Sequence, residues 1–285
     1  MGEAIVITSG KGGVGKTTTS ANIGTALALS GKKVCLIDTD IGLRNLDVVM
    51  GLENRIVFDL VDVVEGRCRL PQALIKDKRF DDLYLLPAAQ TSDKSAVTPE
   101  QMDELIQVLR QDYDYILIDC PAGIEQGFKN AVAGADKAIV VTTPEVSSMR
   151  DADRIIGLLE KEDIEPPKLV INRVRSHMLH EQDMLDVDEI VRTLSIELLG
   201  VVEDDDEVIR ATNTGEPVAL QPSGKAALAY RNIARRLLGE NVPLQAFEQE
   251  KVSVFAKVKT SLESVKSTSH ICEVLSFLHT NIFLS

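Results

Sequence analysis

The sequence lacks the features that mark secreted, membrane-spanning or metal-clustered proteins. It has no tryptophan, and its four cysteines, Cys35, Cys68, Cys120 and Cys272, form no C-x-x-C pair. Scattered cysteines of this kind disfavour zinc and thioredoxin chemistry and favour a reduced, intracellular protein. No apolar run reaches the ~18 residues of a membrane-spanning helix. We expect no signal peptide, because an apolar strand begins almost at the first residue.

Positive charge is also scarce. The 31 Lys and Arg residues face 44 Asp and Glu residues, which gives a net charge of −13. Nucleic-acid phosphates attract basic proteins, so we expect no nucleic acid partner. The hydrophobic content of 44% is sufficient for a core, and 285 residues fit one large domain or two small ones.

A glycine-rich loop stands near the amino end. It reads GKGGVGKT at 10–17 and fits G-x-x-x-x-G-K-[ST], between an apolar run at 5–7 and a helical pattern at about 16–30. Glycines let backbone N–H groups turn toward a polyphosphate, and a helix N-terminus adds partial positive charge. The pattern predicts a nucleotide site formed by Gly10, Lys11, Gly12, Gly13, Val14, Gly15, Lys16, Thr17 and Thr18.

Two of these residues have specific expected roles. The amine of Lys16 should reach the β- and γ-phosphates, and the hydroxyl of Thr17 should hold Mg²⁺. A chance glycine-rich turn is the alternative, and the strand and helix on either side make it much less favourable.

Three aspartates follow apolar strands, where phosphates and metal ions bind in α/β proteins. Asp38 and Asp40 follow the run at 33–37, and Asp119 ends the run at 115–118 in a Walker B pattern. We expect Asp119 to accept from a Mg²⁺-bound water, Asp38 to support Mg²⁺ through water, and Asp40 to orient the attacking water. Capping of the next turn is the alternative for each aspartate.

Apolar runs alternate with helical patterns along the rest of the chain, which predicts an α/β fold with a mostly parallel, doubly wound sheet. Further strands are predicted at 83–86, 138–143, 168–173, 197–202 and 217–220. Capping boxes of Thr98 with Gln101 and of Ser148 with Asp151 predict two helix starts. The strand at 168–173 has a polar end that begins with Asn172, and the run there has no aspartate of the kind by which GTPases read guanine, so adenine is favoured.

Three segments resemble one known family. The second lysine of the loop, Lys11, gives KGGVGKTT, and DTDIGLRNLD at 38–47 and PAGIE at 121–125 follow the switch segments of MinD proteins. These belong to the MinD/ParA group of dimerising ATPases with a deviant Walker A loop. The resemblance covers about 3–259 and implies a SIMIBI-like P-loop NTPase fold.

The resemblance also implies roles for single residues. Lys11 would cross a dimer interface to touch the partner's nucleotide, and would act in catalysis with Lys16 and Asp40. Asn45 would sense the nucleotide, and Asn172 would lie near the base. Gly123 is placed so that its N–H would read the γ-phosphate.

The function implied by the resemblance is placement of the division site. Such a protein is a Mg²⁺-dependent ATPase that forms a homodimer with ATP, recruits a MinC-like division inhibitor and is stimulated by a MinE-like protein. The charged face of the helix at 149–160 resembles the surface that meets MinE, although an ordinary solvated face is the alternative. The protein would be cytoplasmic and peripheral on the inner face of the cell membrane, or at the equivalent place in the plastid stroma.

We expect an ATPase domain at 1–240 and a linker with an amphipathic tail at 241–285. Val252, Phe255 and Val258 fall on one helical side flanked by lysines, which suits an interfacial helix on an anionic membrane. Packing against the domain is the more common explanation of such a pattern. The helix that ends the family's chains is here followed by further residues up to Ser285.

Other functions fit the sequence less well. A ParA-type partition or flagellar-placement ATPase is the nearest alternative, but partition calls for a basic DNA-binding face. An iron–sulfur carrier needs paired cysteines, whereas Cys120 stands alone. A binding scaffold without hydrolysis is disfavoured because Lys16, Thr17, Asp40 and Asp119 are all present.

Overall fold

One sheet forms the centre of the chain in a computed structural model that describes residues 1–93, 95–162, 164–175 and 184–244. Met1–Leu244 make up one compact unit, and the predicted linker and tail at 241–285 lie outside the described residues from residue 245 onward. Within the described residues, eight strands form the sheet. They are β1 Glu3–Thr8, β2 Val34–Asp38, β3 Ile75–Lys76, β4 Leu83–Leu86, β5 Tyr115–Asp119, β6 Lys137–Thr142, β7 Lys168–Val174 and β8 Glu197–Glu203.

The strand order is β3-β4-β2-β5-β1-β6-β7-β8. Only the short β3 runs antiparallel to its neighbour among the described strands, and the other pairs are parallel. Most side chains of β1, β2, β5 and β6 are buried on both faces, as expected for parallel strands covered by helices on each side. The predicted mostly parallel α/β fold is therefore confirmed.

Helices connect the strands. Those in the described residues are α1 Lys16–Leu29, α2 Leu46–Met50, α3 Leu60–Val64, α4 Leu70–Ala73, α5 Pro99–Leu109, α6 Gln126–Val132, α7 Val146–Leu159, α8 Val187–Leu194, α9 Asp206–Thr214 and α10 Lys225–Leu237. None of them is long and apolar enough to cross a membrane. Thr98 caps α5 in the predicted capping box, with Pro99 in the first turn and Gln101 returning the bond.

The helix that follows the glycine-rich loop lies deep in the protein. Residues 19–27 of α1 are all buried, and a helix that is enclosed all round needs small residues at its contacts. A Cβ at Gly24 would stand 2.6 Å from Cδ2 of Leu36, so α1 lies close against the sheet. On its other side α1 packs against α10, where Tyr230 is fully buried. The loop is thereby fixed to the most enclosed part of the core.

Two local predictions are wrong. Val218–Leu220 forms a 3₁₀ turn instead of a strand, because Oδ1 of Asn22 accepts from the N–H of Ala219 at 2.8 Å and holds this segment against α1. Ser148 does not cap α7, since Glu145 takes the N-cap position and Val146 begins the helix. The hydroxyl of Ser148 instead accepts a buried hydrogen bond from Thr143 at 2.8 Å.

Candidate active site

The glycine-rich loop connects the end of β1 to the start of α1, as predicted. Gly13 and Gly15 have φ angles of 80° and 95°, in the left-handed region that residues with a Cβ avoid. Gly10 is needed for a different reason, because a Cβ there would stand 2.2 Å from the carbonyl oxygen of Asp151. The sequence thus forms a loop whose backbone is open on one side and pressed against α7 on another.

Lys16 lies inside this loop and is only 7% exposed. Its Nζ donates to Oγ of Ser9 at 3.0 Å, and the Ser9 hydroxyl in turn donates to the carbonyl of Lys11 at 2.7 Å. The amine is therefore held by one neutral acceptor at the centre of the loop. Sequence reasoning did not single out Ser9, although its place just before the first glycine was a signal.

Two carboxylates face the loop from the central strands. Asp38 and Asp119 stand in register at the carboxyl ends of β2 and β5, and both are buried. The hydroxyl of Ser20 donates to Oδ1 of Asp119 at 2.8 Å. Ser20 is one helical turn after Lys16 on α1, and that spacing is the signal by which the sequence could have identified it.

Burial shifts both acids toward their neutral forms. It raises the pKa of Asp38 to about 7, with the negative charge of Asp119 as the second cause. Burial also raises the pKa of Asp119 to about 6, while hydrogen bonds from Thr17 and Ser20 and the charge of Lys16 offset part of the change. Two buried carboxylates close together ionise readily only when a cation binds beside them and offsets their charge.

The arrangement fits Mg²⁺. This ion keeps several of its waters and binds through one or two carboxylates plus substrate phosphates, without a cage built wholly of protein. Asp38, Asp119 and the hydroxyls of Thr17 and Ser20 supply that donor set.

The switch I segment, residues 38–47, is fixed to Asp38. Oδ1 of Asp38 accepts from the N–H of Asp40 at 2.9 Å, and Oδ2 accepts from the N–H groups of Asn45 and Leu46 at 3.1 Å each. Asp40 is half-buried and the side chain of Asn45 is exposed. Asp38 therefore organises the loop that carries the predicted water-orienting and nucleotide-sensing residues.

Lys11 does not turn toward Lys16. Its Nζ lies 3.0 Å from Oε2 of Glu145 and 3.1 Å from Oγ of Ser147, at the start of α7. This ion pair is exposed, so it is weak and easily exchanged. No local pattern pointed to Glu145 as a partner of Lys11, because the two residues are far apart in the chain.

The predicted switch II residue borders an open cavity. The volume of the cavity is about 320 Å³. Its lining consists of Gly123 together with Gly10, Ala122, Ile124, Glu125, Asp151 and Arg154. The cavity runs from the glycine-rich loop to α7. Gly123 is thus close to the loop, as its predicted role requires.

Asn172 lies within β7 and is 6% exposed. Its Nδ2 donates to the carbonyl of Val14 at 2.8 Å, and a Cβ at Gly15 would stand 2.3 Å from that nitrogen. The amide therefore supports the glycine-rich loop. Contact of Asn172 with the base stays a prediction.

Cys120 follows Asp119 directly. Its thiol is buried and accepts a hydrogen bond from the Thr8 hydroxyl at 3.5 Å, and burial raises its pKa to about 12. Cys35, Cys68 and Cys120 are all free thiols in the described part of the chain.

Comparisons with known proteins identify the family of the chain. Residues 5–218 match the family model of the CobQ/CobB/MinD/ParA nucleotide binding domain. The chain is 71% identical over 262 residues to the septum site-determining protein MinD of Bacillus subtilis, covering 91% of this chain and 98% of that protein.

Solved structures give the same result. The MinC:MinD cell division protein complex of Aquifex aeolicus contains a chain with 51% identity and a TM-score of 0.80, covering 86% of this chain and 98% of that one. MinD of Pyrococcus horikoshii in complex with Mg-ADP has 30% identity and a TM-score of 0.76, covering 85% and 100%.

The predicted resemblance and P-loop NTPase fold are confirmed. Sequence identity over nearly the whole of a relative's length favours MinD over the ParA alternative. The chain belongs to the MinD family of septum site-determining proteins, within the CobQ/CobB/MinD/ParA group of nucleotide-binding domains.

Proposed function

We propose that the chain is a Mg²⁺-dependent ATPase that dimerises with ATP and helps to position the division site. The observation that carries this proposal is the convergence of buried Lys16 with the buried pair Asp38 and Asp119 at the mouth of the glycine-rich loop. One amine and two carboxylates at this place match what a polyphosphate and its magnesium ion require.

Nucleotide binding follows from the loop. The phosphates accept from the backbone N–H groups of the loop, and Lys16 exchanges the hydroxyl of Ser9 for the β- and γ-phosphate oxygens. The hydroxyl of Thr17 would hold Mg²⁺, and Asp119 and Asp38 would support the ion through its bound waters. When bound there, Mg²⁺ supplies positive charge that offsets the charge developing on the phosphoryl oxygens.

Hydrolysis needs an oriented water and a group that senses the γ-phosphate. Asp40 lies in a loop fixed by Asp38. Its carboxylate accepts a hydrogen bond from the attacking water, which aligns the water with the phosphorus atom. The N–H of Gly123 donates to a γ-phosphate oxygen from the cavity side. Asn45 responds to the nucleotide through the N–H that it donates to Asp38.

Dimerisation depends on Lys11. In the single chain its amine is held by Glu145 and Ser147, and in the dimer it leaves them to reach the nucleotide of the other subunit. A positive charge supplied in trans lowers the barrier of phosphoryl transfer. Exchange of one weak ion pair for a contact with phosphate favours the dimer only when ATP is bound.

The partners follow from the relatives. The Aquifex chain is found in a complex with MinC, and we propose a MinC-like inhibitor and a MinE-like activator as partners of this chain, with no role for nucleic acid. The amphipathic tail at 241–285 would attach the dimer to an anionic membrane surface. The protein would thus be cytoplasmic and peripheral on the inner face of the cell membrane, or on its plastid equivalent.

The experiment that tests the proposal is ATPase activity with and without Mg²⁺ and with and without anionic vesicles. We expect activity that requires Mg²⁺, prefers ATP over GTP and rises with vesicles. Asp40→Ala is the matched control, because it should keep nucleotide binding while losing turnover. Mg²⁺-independent activity, or equal turnover of the two nucleotides, would contradict the proposed chemistry.

A further inference from the structure

Arg79 joins the carboxyl ends of two helices that are far apart in the sequence. Its Nη2 donates to the carbonyl of Met50, the last residue of α2, at 2.7 Å. Its Nη1 donates to the carbonyl of Gly215, the residue after α9, at 3.0 Å. Helix carboxyl ends carry partial negative charge, so one guanidinium stabilises both.

The guanidinium is held in place from its other side. Nε and Nη2 of Arg79 donate to the two carboxylate oxygens of Asp77, with distances of 2.9 and 2.6 Å, and Asp77 is buried. A bidentate pair fixes the plane of the arginine as well as its position. The Arg79 guanidinium is therefore held in one orientation and is not a mobile surface cation.

The two helix ends are also in direct contact. A Cβ at Gly51, which follows α2, would stand 2.7 Å from the carbonyl oxygen of Gly215, and a Cβ at Gly215 would stand 2.5 Å from Cα of Gly51. Only two glycines allow the backbones to approach so closely. The carboxyl end of α2 is consequently packed against the carboxyl end of α9 in one defined position.

The opposite end of α2 is bound to the metal-side carboxylate. Oδ2 of Asp38 accepts from the N–H groups of Asn45, the N-cap of α2, and of Leu46, its first residue. A helix of five residues is thus fixed at one end by Asp38 and at the other by Arg79. A short helix moves as one body, so a shift at Met50 is carried to the carboxylate of Asp38.

We propose that Arg79 is a positioning residue that places Asp38 for Mg²⁺ through helix α2. It touches neither nucleotide nor metal. The inference rests on the proposed function, since it concerns the same metal site, but it assigns a role outside that site. We expect that loss of the hydrogen bonds from Arg79 to the two helix ends weakens Mg²⁺ binding and leaves the nucleotide contacts of the glycine-rich loop intact.

The test compares Arg79→Gln, Arg79→Lys and the control Arg55→Gln. Arg55 lies close to α2 in sequence, but its guanidinium donates to the carbonyl of Lys76 and not to a helix end. Affinity for a fluorescent, non-hydrolysable ATP analogue is titrated in full-length protein with Mg²⁺ and with EDTA. Amide hydrogen exchange is followed across the chain in the absence of nucleotide.

We expect Arg79→Gln to raise the Mg²⁺ concentration for half-maximal effect by about tenfold, the size seen when outer-shell partners of metal ligands are lost. Its affinity in EDTA should stay unchanged, and exchange should accelerate at the amides of α2 but not in the central strands. Arg79→Lys should show a smaller loss than Arg79→Gln, because lysine keeps the positive charge. Its single ammonium cannot replace all the N–H donors of the guanidinium. Arg55→Gln should behave like wild type.

Unchanged Mg²⁺ dependence in Arg79→Gln would overturn the inference, and so would exchange that accelerates equally in every strand, because that marks a general loss of stability. Hydrolysis is not part of this readout. A wild-type chain that binds Mg²⁺ and nucleotide without hydrolysing would sink the proposed ATPase function and leave the role of Arg79 standing.

Discussion

Lys11 and Glu145 form an ion pair within one chain, with 3.0 Å between Nζ and Oε2. The pair connects the deviant lysine of the glycine-rich loop to the first turn of α7. Lys11, which we propose acts on the other subunit, is thus occupied while the chain is alone. In the proposed dimer, release of this pair would be part of the cost of dimerisation.

The first prediction concerns that cost. Glu145→Gln should strengthen ATP-dependent dimerisation by up to about 30-fold, because the dimer releases two such exposed ion pairs and each contributes no more than about 1 kcal/mol. The measurement is light scattering with ATP in an Asp40→Ala background, with Glu160→Gln at the far end of α7 as the control for charge. Weaker dimerisation of Glu145→Gln would show that the glutamate itself serves the interface.

The second prediction separates binding from turnover. Lys16→Ala should lose nucleotide affinity, because the buried amine donates to Ser9 inside the loop, where the phosphates would bind. Asp40→Ala should bind ATP normally and hydrolyse it at least ~100-fold more slowly, a typical loss for a proton-handling or water-orienting group. Calorimetric binding and single-turnover kinetics together distinguish the two. Normal turnover in Asp40→Ala would remove that residue from the chemistry.

The third prediction is a pH dependence of stability. Folding raises the pKa of Asp119 from 3.8 to about 6 and that of Asp38 from 3.8 to about 7. The folded chain therefore holds more protons than the unfolded chain across this range, and its free energy of unfolding falls as pH rises from about 4 to about 7. Asp119→Asn should be more stable than wild type at pH 8 by on the order of 2 kcal/mol.

Thermal unfolding in EDTA between pH 5 and pH 8 checks this dependence. Addition of Mg²⁺ with nucleotide should raise the melting temperature of wild type most at pH 8, where both carboxylates are charged. A melting temperature of wild type that increases with pH in EDTA would contradict the assigned direction of the shifts.

The fourth prediction separates glycines required for folding from glycines required for the ligand. Gly10→Ala should lower stability even without nucleotide, because its Cβ would stand 2.2 Å from the carbonyl oxygen of Asp151. Gly12→Ala should fold normally, since its Cβ would meet Ala122 at an ordinary 3.7 Å, yet it should bind nucleotide more weakly. Melting temperatures and titrations of both variants decide, and equal melting temperatures would refute the distinction.

The fifth prediction concerns the tail. Two weak amphipathic helices on one dimer bind with an avidity higher by ~10²–10⁴ than one helix alone, so co-sedimentation with anionic vesicles should require ATP. Phe255→Glu should abolish vesicle binding and spare dimerisation, because it puts charge into the apolar face. A chain that stops after Ala246 should behave in the same way. Equal binding with ATP and ADP would exclude this avidity mechanism.

Local patterns were sufficient for the centre of the site. The strand, glycine loop and helix of 5–30, and the aspartates that end β2 and β5, are each specified by a few adjacent residues. Parallel strands bring their carboxyl ends to one edge, so the register of Asp38 with Asp119 followed from the fold class. The family resemblance added the switch segments on the same basis.

Contacts between distant residues were not predictable in this way. The 3₁₀ turn at Val218–Leu220 reads as a strand until Asn22 is placed beside it. Ser148 has the spacing of a capping box, but a buried bond to Thr143 and an earlier helix start at Val146 prevail. Arg79 looks like a surface cation in the sequence, and its role appears only when Met50 and Gly215 meet.

The place of β1 in the sheet has a consequence for synthesis of the protein. Glu3 pairs with Tyr115 and Ile5 with Lys137, so the first strand made lies between two strands made much later. At ribosomal speeds of 5–20 residues per second, the apolar strand waits roughly 5–20 s for its first neighbour. Until then the apolar residues of β1, which later lie at the centre of the nucleotide site, are exposed and prone to aggregation. A nascent-chain chaperone would shield them best in this interval.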